Sequence, residues 1–280
     1  MKWFSFLMFL SPALLFAQGE KIKTIKTTTE IIQATVDRAG DFYVILSTGE
    51  IRKYDKQGEF LSSFRHNGVP ALFDPTNPAK LFVYYKDTQE YAWLSPNLEA
   101  SAFLKIDPSF AIEPALLCPS GERDLWILDA ADFSMKKIIF KRIDREVNRL
   151  QQKTSAGIQR DTVIANEFIV KSEAITSAHS LTSIREYQNV LFLFDKKQGI
   201  GIYNAFGKQI RFIGVKNLKG YNFLGEELYF IEDKKIKFLD MFTGDKRELV
   251  LKNTADFVVL TDERMVLIKN DQIDLYEFQP

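Results

Sequence analysis

The residue types that carry most enzymatic chemistry are sparse in this chain. There are two histidines, His66 and His179, and one cysteine, Cys118. A hydrolytic zinc centre or a Ser-His-Asp relay needs histidine held at defined geometry beside other ligands or a nucleophile. These two histidines are far apart on predicted loops, and the chain has neither His-Glu-x-x-His nor Gly-x-Ser-x-Gly. A solvated loop position is the expectation for each. Cys118 lies in ALLCP and reads as a small buried hydrophobe. Carboxylates remain: Asp37, Asp74, Glu113 and Glu186 fall near the ends of candidate innermost strands, where converging acids would serve as acid and base or as metal ligands. The plainer expectation is that each is a turn acid, so no catalytic residue, cofactor site or metal ligand is assigned.

The elements that would position these groups are repeated. Ile51-x-x-Tyr54-Asp55-x-x-Gly58 recurs as Ile200-x-x-Tyr203-Asn204-x-x-Gly207, and with one residue inserted as Ile236-x-x-Leu239-Asp240-x-x-x-Gly244. Weaker copies begin at Tyr91, Met135 and Ile273. Each follows an apolar run: FYVIL (42–46), LFVYY (81–85), LWIL (125–128), VLFLF (190–194), LYFI (228–231) and MVLI (265–268). Runs without alternation, rich in β-branched and aromatic residues, are how strands buried on both faces read. Asp55 or Asn204 can accept a bond from the backbone two residues on, and Gly58 or Gly207 supplies the positive φ that closes a short hairpin. Candidate strands flank each pair, among them IIQATVD (31–37), SLTSIRE (180–186) and DFVVLTD (256–262) before, and EFLSSF (59–64), QIRFI (209–213) and RELVL (247–251) after.

A four-stranded antiparallel unit of about 40 residues, repeated, predicts an all-β β-propeller. The last unit ends after its third strand, QIDLYEF, while KIKTIKTTTE (21–30) is a spare strand ahead of the first. Pairing the spare strand with the last blade closes the ring and removes exposed edges. Successive copies lie 36 to 44 residues apart except for Met135 to Ile200, which is 65. Residues 153–179 are then an insertion in a six-bladed ring, or TVIANEFIVK is the remnant of a seventh blade. RIDREVNRLQQ (142–152) reads equally as a charged outer strand or a short helix.

Residues 1–17, MKWFSFLMFLSPALLFA, have the form of a secretory signal peptide: a lysine, a short apolar run and a small residue at the end. The run is short for a membrane span. A single propeller domain over 18–280, exported to the periplasm or otherwise secreted, follows as the expectation. The 37 basic and 37 acidic residues balance, which gives no general attraction to nucleic acid or an anionic membrane. The 24 Phe, 10 Tyr and 3 Trp suggest sugar stacking, yet most fall in the apolar runs; Trp93 and Trp126 lie within or beside them.

The stretch DRAGDFYVILSTGEIRKYDKQGEFLSSF (37–64) resembles the NHL-type repeat of bacterial six-bladed β-propellers, with Asp37, Gly40, Tyr43, Val44, Ile51, Tyr54, Asp55, Gly58 and Phe60 at the matching positions. Gly199–Ile213 and Lys235–Leu251 match in part, and HNGVPALFDP (66–75) replaces the usual glycine-rich connector. LFVYYKD and GIGIYNAFG are similar to segments of secreted propellers of bacterial envelopes. The resemblance implies an architecture and an envelope location; NHL propellers act mostly as binding platforms, with a minority of enzymes.

One recurring feature lies outside the fold-making pattern. The turns after the apolar runs are mostly polar, and every blade presents its turn on the same ring face. Lys86, Asp87, Asp129, Asp132, Asp195, Lys197, Asp233, Lys235, Asn270 and Asp271 would form a mixed-charge rim for an envelope protein or peptide partner. The chain is then a monomer or part of a hetero-complex, without nucleic acid and without a membrane span. The expected function is a non-catalytic interaction or scaffold propeller of the cell envelope. The alternatives are a metal-dependent hydrolase or lactonase of the six-bladed type and a glycan-binding module.

Overall fold

Strands with no polar face must be covered on both sides, and the computed structural model shows what covers them. It describes residues 18–121, 123–144, 160–171, 180–215 and 218–279. Residues 1–17, expected to be a signal peptide, and the predicted insertion residues 153–159 and 172–179 lie outside the described residues. So do 145–152 of the stretch read as outer strand or helix.

The described chain starts with β1 (Gln18–Lys26) and then builds six four-stranded antiparallel sheets. The first blade is β2 (Ile31–Val36), β3 (Phe42–Leu46), β4 (Ile51–Tyr54) and β5 (Phe60–Phe64). The second is β6 (Leu72–Asp74), β7 (Leu81–Tyr85), β8 (Glu90–Leu94) and β9 (Leu104–Lys105), and the third is β10 (Pro114–Ser120), β11 (Asp124–Asp129), β12 (Ser134–Asp144) and β13 (Arg160–Lys171). The fourth comprises β14 (Leu181–Tyr187), β15 (Val190–Asp195), β16 (Gly199–Tyr203) and β17 (Gln209–Gly214). β18 (Tyr221–Leu224), β19 (Glu227–Glu232), β20 (Lys235–Asp240) and β21 (Lys246–Val250) make the fifth. The sixth is β22 (Phe257–Leu260), β23 (Arg264–Lys269) and β24 (Gln272–Phe278), completed by β1, whose Lys26 pairs with Gln272 and Ile25 with Ile273. The architecture is a six-bladed β-propeller closed by its N-terminal strand, as the repeat predicts.

Alternate side chains of each middle strand enter different interblade cores. In β3, Phe42, Val44 and Leu46 pack with Val259, Val266 and Leu275 of the sixth blade. Tyr43 and Ile45 pack with Phe73, Val83 and Tyr85 of the second. All five β3 residues are buried, each large one contributing about 1.5–3 kcal/mol. Outer strands β5, β17 and β21 are largely exposed. The hairpin acids act as fold-makers: Asp55 Oδ1 accepts from the amides of Gln57 (2.9 Å) and Glu59 (2.8 Å), and Gly58 has φ +77°. Asn204 repeats this with Phe206 and Lys208, both at 3.0 Å.

The segment TVIANEFIVK has a different place from the one expected of an insertion or a seventh blade. It lies in β13, the outer strand of the third blade, antiparallel to β12. Outer strands carry the weakest apolar pattern, so spacing along the chain cannot tell a distant outer strand from a degenerate blade. Arg142–Asp144, from the stretch read as strand or helix, continue β12. The β11 register stops at Ile138, whereas β12 and β13 stay paired from Ile139 with Ala165 to Asp144 with Arg160, extending the blade as a two-stranded ribbon.

Cys118 is fully buried in the core shared by blades two to four. Burial, with Asp74 and Glu186 nearby, pushes its thiol pKa well up. Native protein should therefore resist a thiol reagent such as DTNB at pH 8 and yield one reactive thiol per chain once unfolded in guanidinium; rapid native labelling would contradict this placement.

Candidate functional site

The propeller has two mouths. Turns between the second and third strands of each blade, which carry the predicted rim, lie at one. Turns between the first and second strands lie at the other, because each sheet is an antiparallel meander.

At the first mouth the rim residues divide by what their side chains do. Asp129 is fully buried and accepts from the amides of Ile112, Glu113 and Ala131, each at 3.0 Å, and from Lys136 Nζ at 2.6 Å. Burial alone would raise its pKa, but Lys136 and the amides outweigh this and hold it below the usual carboxylate value. Asp195, also buried, accepts from Ser180 Oγ (2.7 Å) and the amides of Lys197 (2.7 Å) and Gln198 (3.0 Å). Asp132 takes the amide and hydroxyl of Ser134, and Lys235 pairs with Glu248 at 2.6 Å. Lys86, Asp87, Lys197, Asp233, Asn270 and Asp271 are exposed. Asp233 borders a depression of about 280 Å³, and Asn270 and Asp271 border one of about 360 Å³. The backbone carbonyls of Asn270 and Asp271 accept from Ile31 and Thr27, tethering the first blade to the closing one.

The four candidate acids do not converge. Glu113 stands exposed just ahead of β10, whereas Asp37, Asp74 and Glu186 are near the C-terminal ends of their inner strands, at the second mouth. Asp37 Oδ1 accepts from the amides of Ala39 and Asp41 and Oδ2 from Tyr43 Oη at 2.9 Å; burial raises its pKa against the pull of the tyrosine. Glu186 Oε2 accepts from Ser120 Oγ (2.7 Å) and Trp126 Nε1 (2.6 Å), joining the third and fourth blades. Among the described residues no group of three or more His, Cys, Asp or Glu could hold a metal ion.

His66 is half-buried, stacked on Phe103 (centroids 3.8 Å apart, 11° between planes) with Nε2 3.4 Å from Glu90. It is an interblade filler, which differs from the solvated loop expected. His179 lies outside the described residues. Trp126 is core, fully buried. Trp93 is only half-buried, and Lys80 Nζ lies 3.8 Å from its ring centroid.

The residue at the centre of the inner strands is an arginine rather than an acid. Arg185 of β14, 8% exposed, donates from Nη2 to Thr76 Oγ1 at 2.8 Å. Its Nη1 lies 3.4 Å from Thr35 Oγ1 and 3.5 Å from Asn222 Oδ1, and Asp74 Oδ1 is 3.5 Å from Nη2. Asn222 Nδ2 donates on to the carbonyls of Ala34 (3.2 Å) and Val258 (3.4 Å). Inner strands or strand ends of four blades thus meet at one guanidinium, and Asn222 links a fifth through Val258. A charged residue in a strand bound to face the axis, SLTSIRE, was the available signal.

Above this knot the second mouth holds a well of about 590 Å³, whose lining includes Asp37, Arg38, Arg185, Tyr187, Asn222 and Phe223. A second cavity of about 400 Å³, beside Trp93 and Glu186, shares Arg38, Thr76 and Gln188 with it. Tyr187 and Phe223 stack at 4.0 Å and 3°. Arg185 Cζ lies 5.5 Å from the Phe223 ring and Arg38 Cζ 5.9 Å from the Tyr187 ring, within cation–π range.

No family model matches the sequence, and no curated protein matches it. Among solved structures, a catalytically inactive variant of virginiamycin B lyase from Staphylococcus aureus, with quinupristin, is similar at 12% identity over 91% of this chain and 98% of that one, with a TM-score of 0.54. Raptor from Chaetomium thermophilum is similar at 12% identity over 96% of this chain and 30% of its own, with a TM-score of 0.53. At such identities the likeness is one of fold.

Proposed function

We propose that this propeller is an exported, non-catalytic protein-interaction module of the bacterial cell envelope, built from NHL-like repeats and residing in the periplasm. The observation that carries this is the axis itself. Arg185, Thr76, Asn222 and Asp74 close the axis through contacts with one another, so the polar groups there join blades, and the well above them offers a surface for binding. The apolar start of the chain supports export.

The exposed part of the first rim is the partner surface in this proposal. Replacing Lys86, Asp87, Lys197 and Asp271 together by alanine should reduce recovery of an envelope partner in a pull-down by about tenfold or more. Each such surface change costs within about 0.5 kcal/mol of stability, so the melting temperature should hold. Undiminished recovery by a folded variant would overturn the rim assignment. Asp129 has no place in that variant: it is a buried structural acid, and its loss would confound binding with unfolding.

A further inference from the structure

From the long, mostly neutral contacts of Arg185 we infer that the well at the second mouth is a receptor for a carboxylate, either the C-terminus of a peptide or a free carboxylic acid. This goes beyond the interaction-module proposal and does not need it.

A guanidinium has five N–H donors in a rigid fork, and a buried one is normally matched by a carboxylate through two short parallel bonds. Arg185 is not matched that way. It makes one bond under 3 Å, from Nη2 to the neutral Thr76 hydroxyl; Nε reaches the same oxygen at 3.3 Å, and the contacts of Nη1 to Thr35 and Asn222 are 3.4 and 3.5 Å long. Asp74 Oδ1 lies 3.5 Å from Nη2 and is engaged by the Thr76 amide at 2.8 Å and the Thr76 hydroxyl. Its other oxygen, Oδ2, is buried without a hydrogen-bond partner among the described residues. The inner strands therefore engage all three guanidinium nitrogens, but mostly through neutral oxygens beyond 3 Å, and Nη1, beside the well-lining Asn222, has the longest contacts.

The surroundings narrow the ligand. The well is in the size range of small-ligand sites, about 300–1,000 Å³. Asp37, the acid nearest in the lining sequence to Arg38, already has its carboxylate taken up by Tyr43 and two amides. Asp262 and Glu263 stand exposed on the wall, with Lys56 3.6 Å from Glu263. Arg38, Lys56 and Arg185 against Asp37, Asp262 and Glu263 leave the lining balanced, which disfavours a polyanion such as phosphate. The Tyr187–Phe223 stack between the two arginines offers an apolar wall to the group bearing it.

The test uses the purified chain and calorimetric titration with N-acetyl-phenylalanine, N-acetyl-Ala-Ala-Phe and the C-terminal amides of both. The acids should bind about tenfold or more tightly than their amides, the step expected when a charged hydrogen bond is lost. Arg185→Lys should bring the acids to the level of the amides, and Arg38→Gln should weaken them less. Tighter binding of the tripeptide acid identifies a peptide terminus; tighter binding of the capped amino acid identifies a free carboxylic acid. Equal affinity for acid and amide, preference for inorganic phosphate, or no binding of either acid at millimolar concentration would overturn the inference. Should Arg185→Lys fail to fold, the acid–amide comparison on the wild-type chain and Arg38→Gln decide.

Discussion

Asp129→Ala should destabilise the propeller by about 3–5 kcal/mol, the range for removing one partner of a buried ion pair. The change strips the acceptor from Lys136 Nζ and from the amides of Ile112, Glu113 and Ala131, all at 2.6–3.0 Å. Lys136 is itself only 8% exposed, and its next acid, Asp132, is 3.9 Å away. The ammonium is therefore left with one distant partner in a dry site. For a chain of this size 1 kcal/mol moves the melting temperature by roughly 2–4 °C, so a fall of about 6 °C or more is expected by calorimetry. Asp129→Ala with Lys136→Met should recover part of the loss, since removing both charges leaves no unpaired one. A melting temperature within 2 °C of wild type for the single variant would show that the buried pair contributes little.

The same carboxylate sets a pH dependence. Its pKa in the folded chain is lowered, so the unfolded chain binds its proton more readily and acid favours unfolding. The stabilisation is present above the unfolded value of about 3.9 and is lost as pH falls through the folded one. Wild type should therefore lose stability toward pH 3 more steeply than Asp129→Asn, in denaturant midpoints read across that range. Parallel acid limbs would place the lost stability on other groups.

Much of the ring was legible because the burial of β3, β7 and β15 leaves no solvent face to interrupt FYVIL, LFVYY and VLFLF. Asp55, Gly58, Asn204 and Gly207 announce hairpins through local chemistry that needs no tertiary partner. The place of β13 was not legible, since an outer strand is specified by its pairing with β12 across a long connection. The axial knot is less legible still. Arg185 meets Thr76 across 109 residues and Thr35 across 150, and no spacing along the chain marks such a convergence. Asp129 was misjudged as a rim group for a related reason: a polar turn residue reads as wet, but the amides of the preceding interblade connection fold over this one.

Trp126 offers the second large effect and a measure of how the third and fourth blades are held. Its side chain is fully buried, and its indole N–H donates to Glu186 on the neighbouring blade at 2.6 Å. Trp126→Ala opens a cavity in the core shared by blades two to four and should cost about 3–5 kcal/mol. That value alone cannot separate packing from the interblade bond. Trp126→Phe keeps most of the aromatic volume and removes the donor, while Glu186→Gln keeps the shape and removes the charge. Hydrogen bonds to charged groups contribute about 1.5–3 kcal/mol, and Ser120 Oγ continues to donate to Glu186 in the phenylalanine variant, so the lower end of that range applies. In a double-mutant cycle from urea unfolding, the two changes should couple by about 1 kcal/mol or more. Additivity within about 0.5 kcal/mol would mean that packing of Trp126 holds the two blades together and that its bond to Glu186 adds nothing measurable.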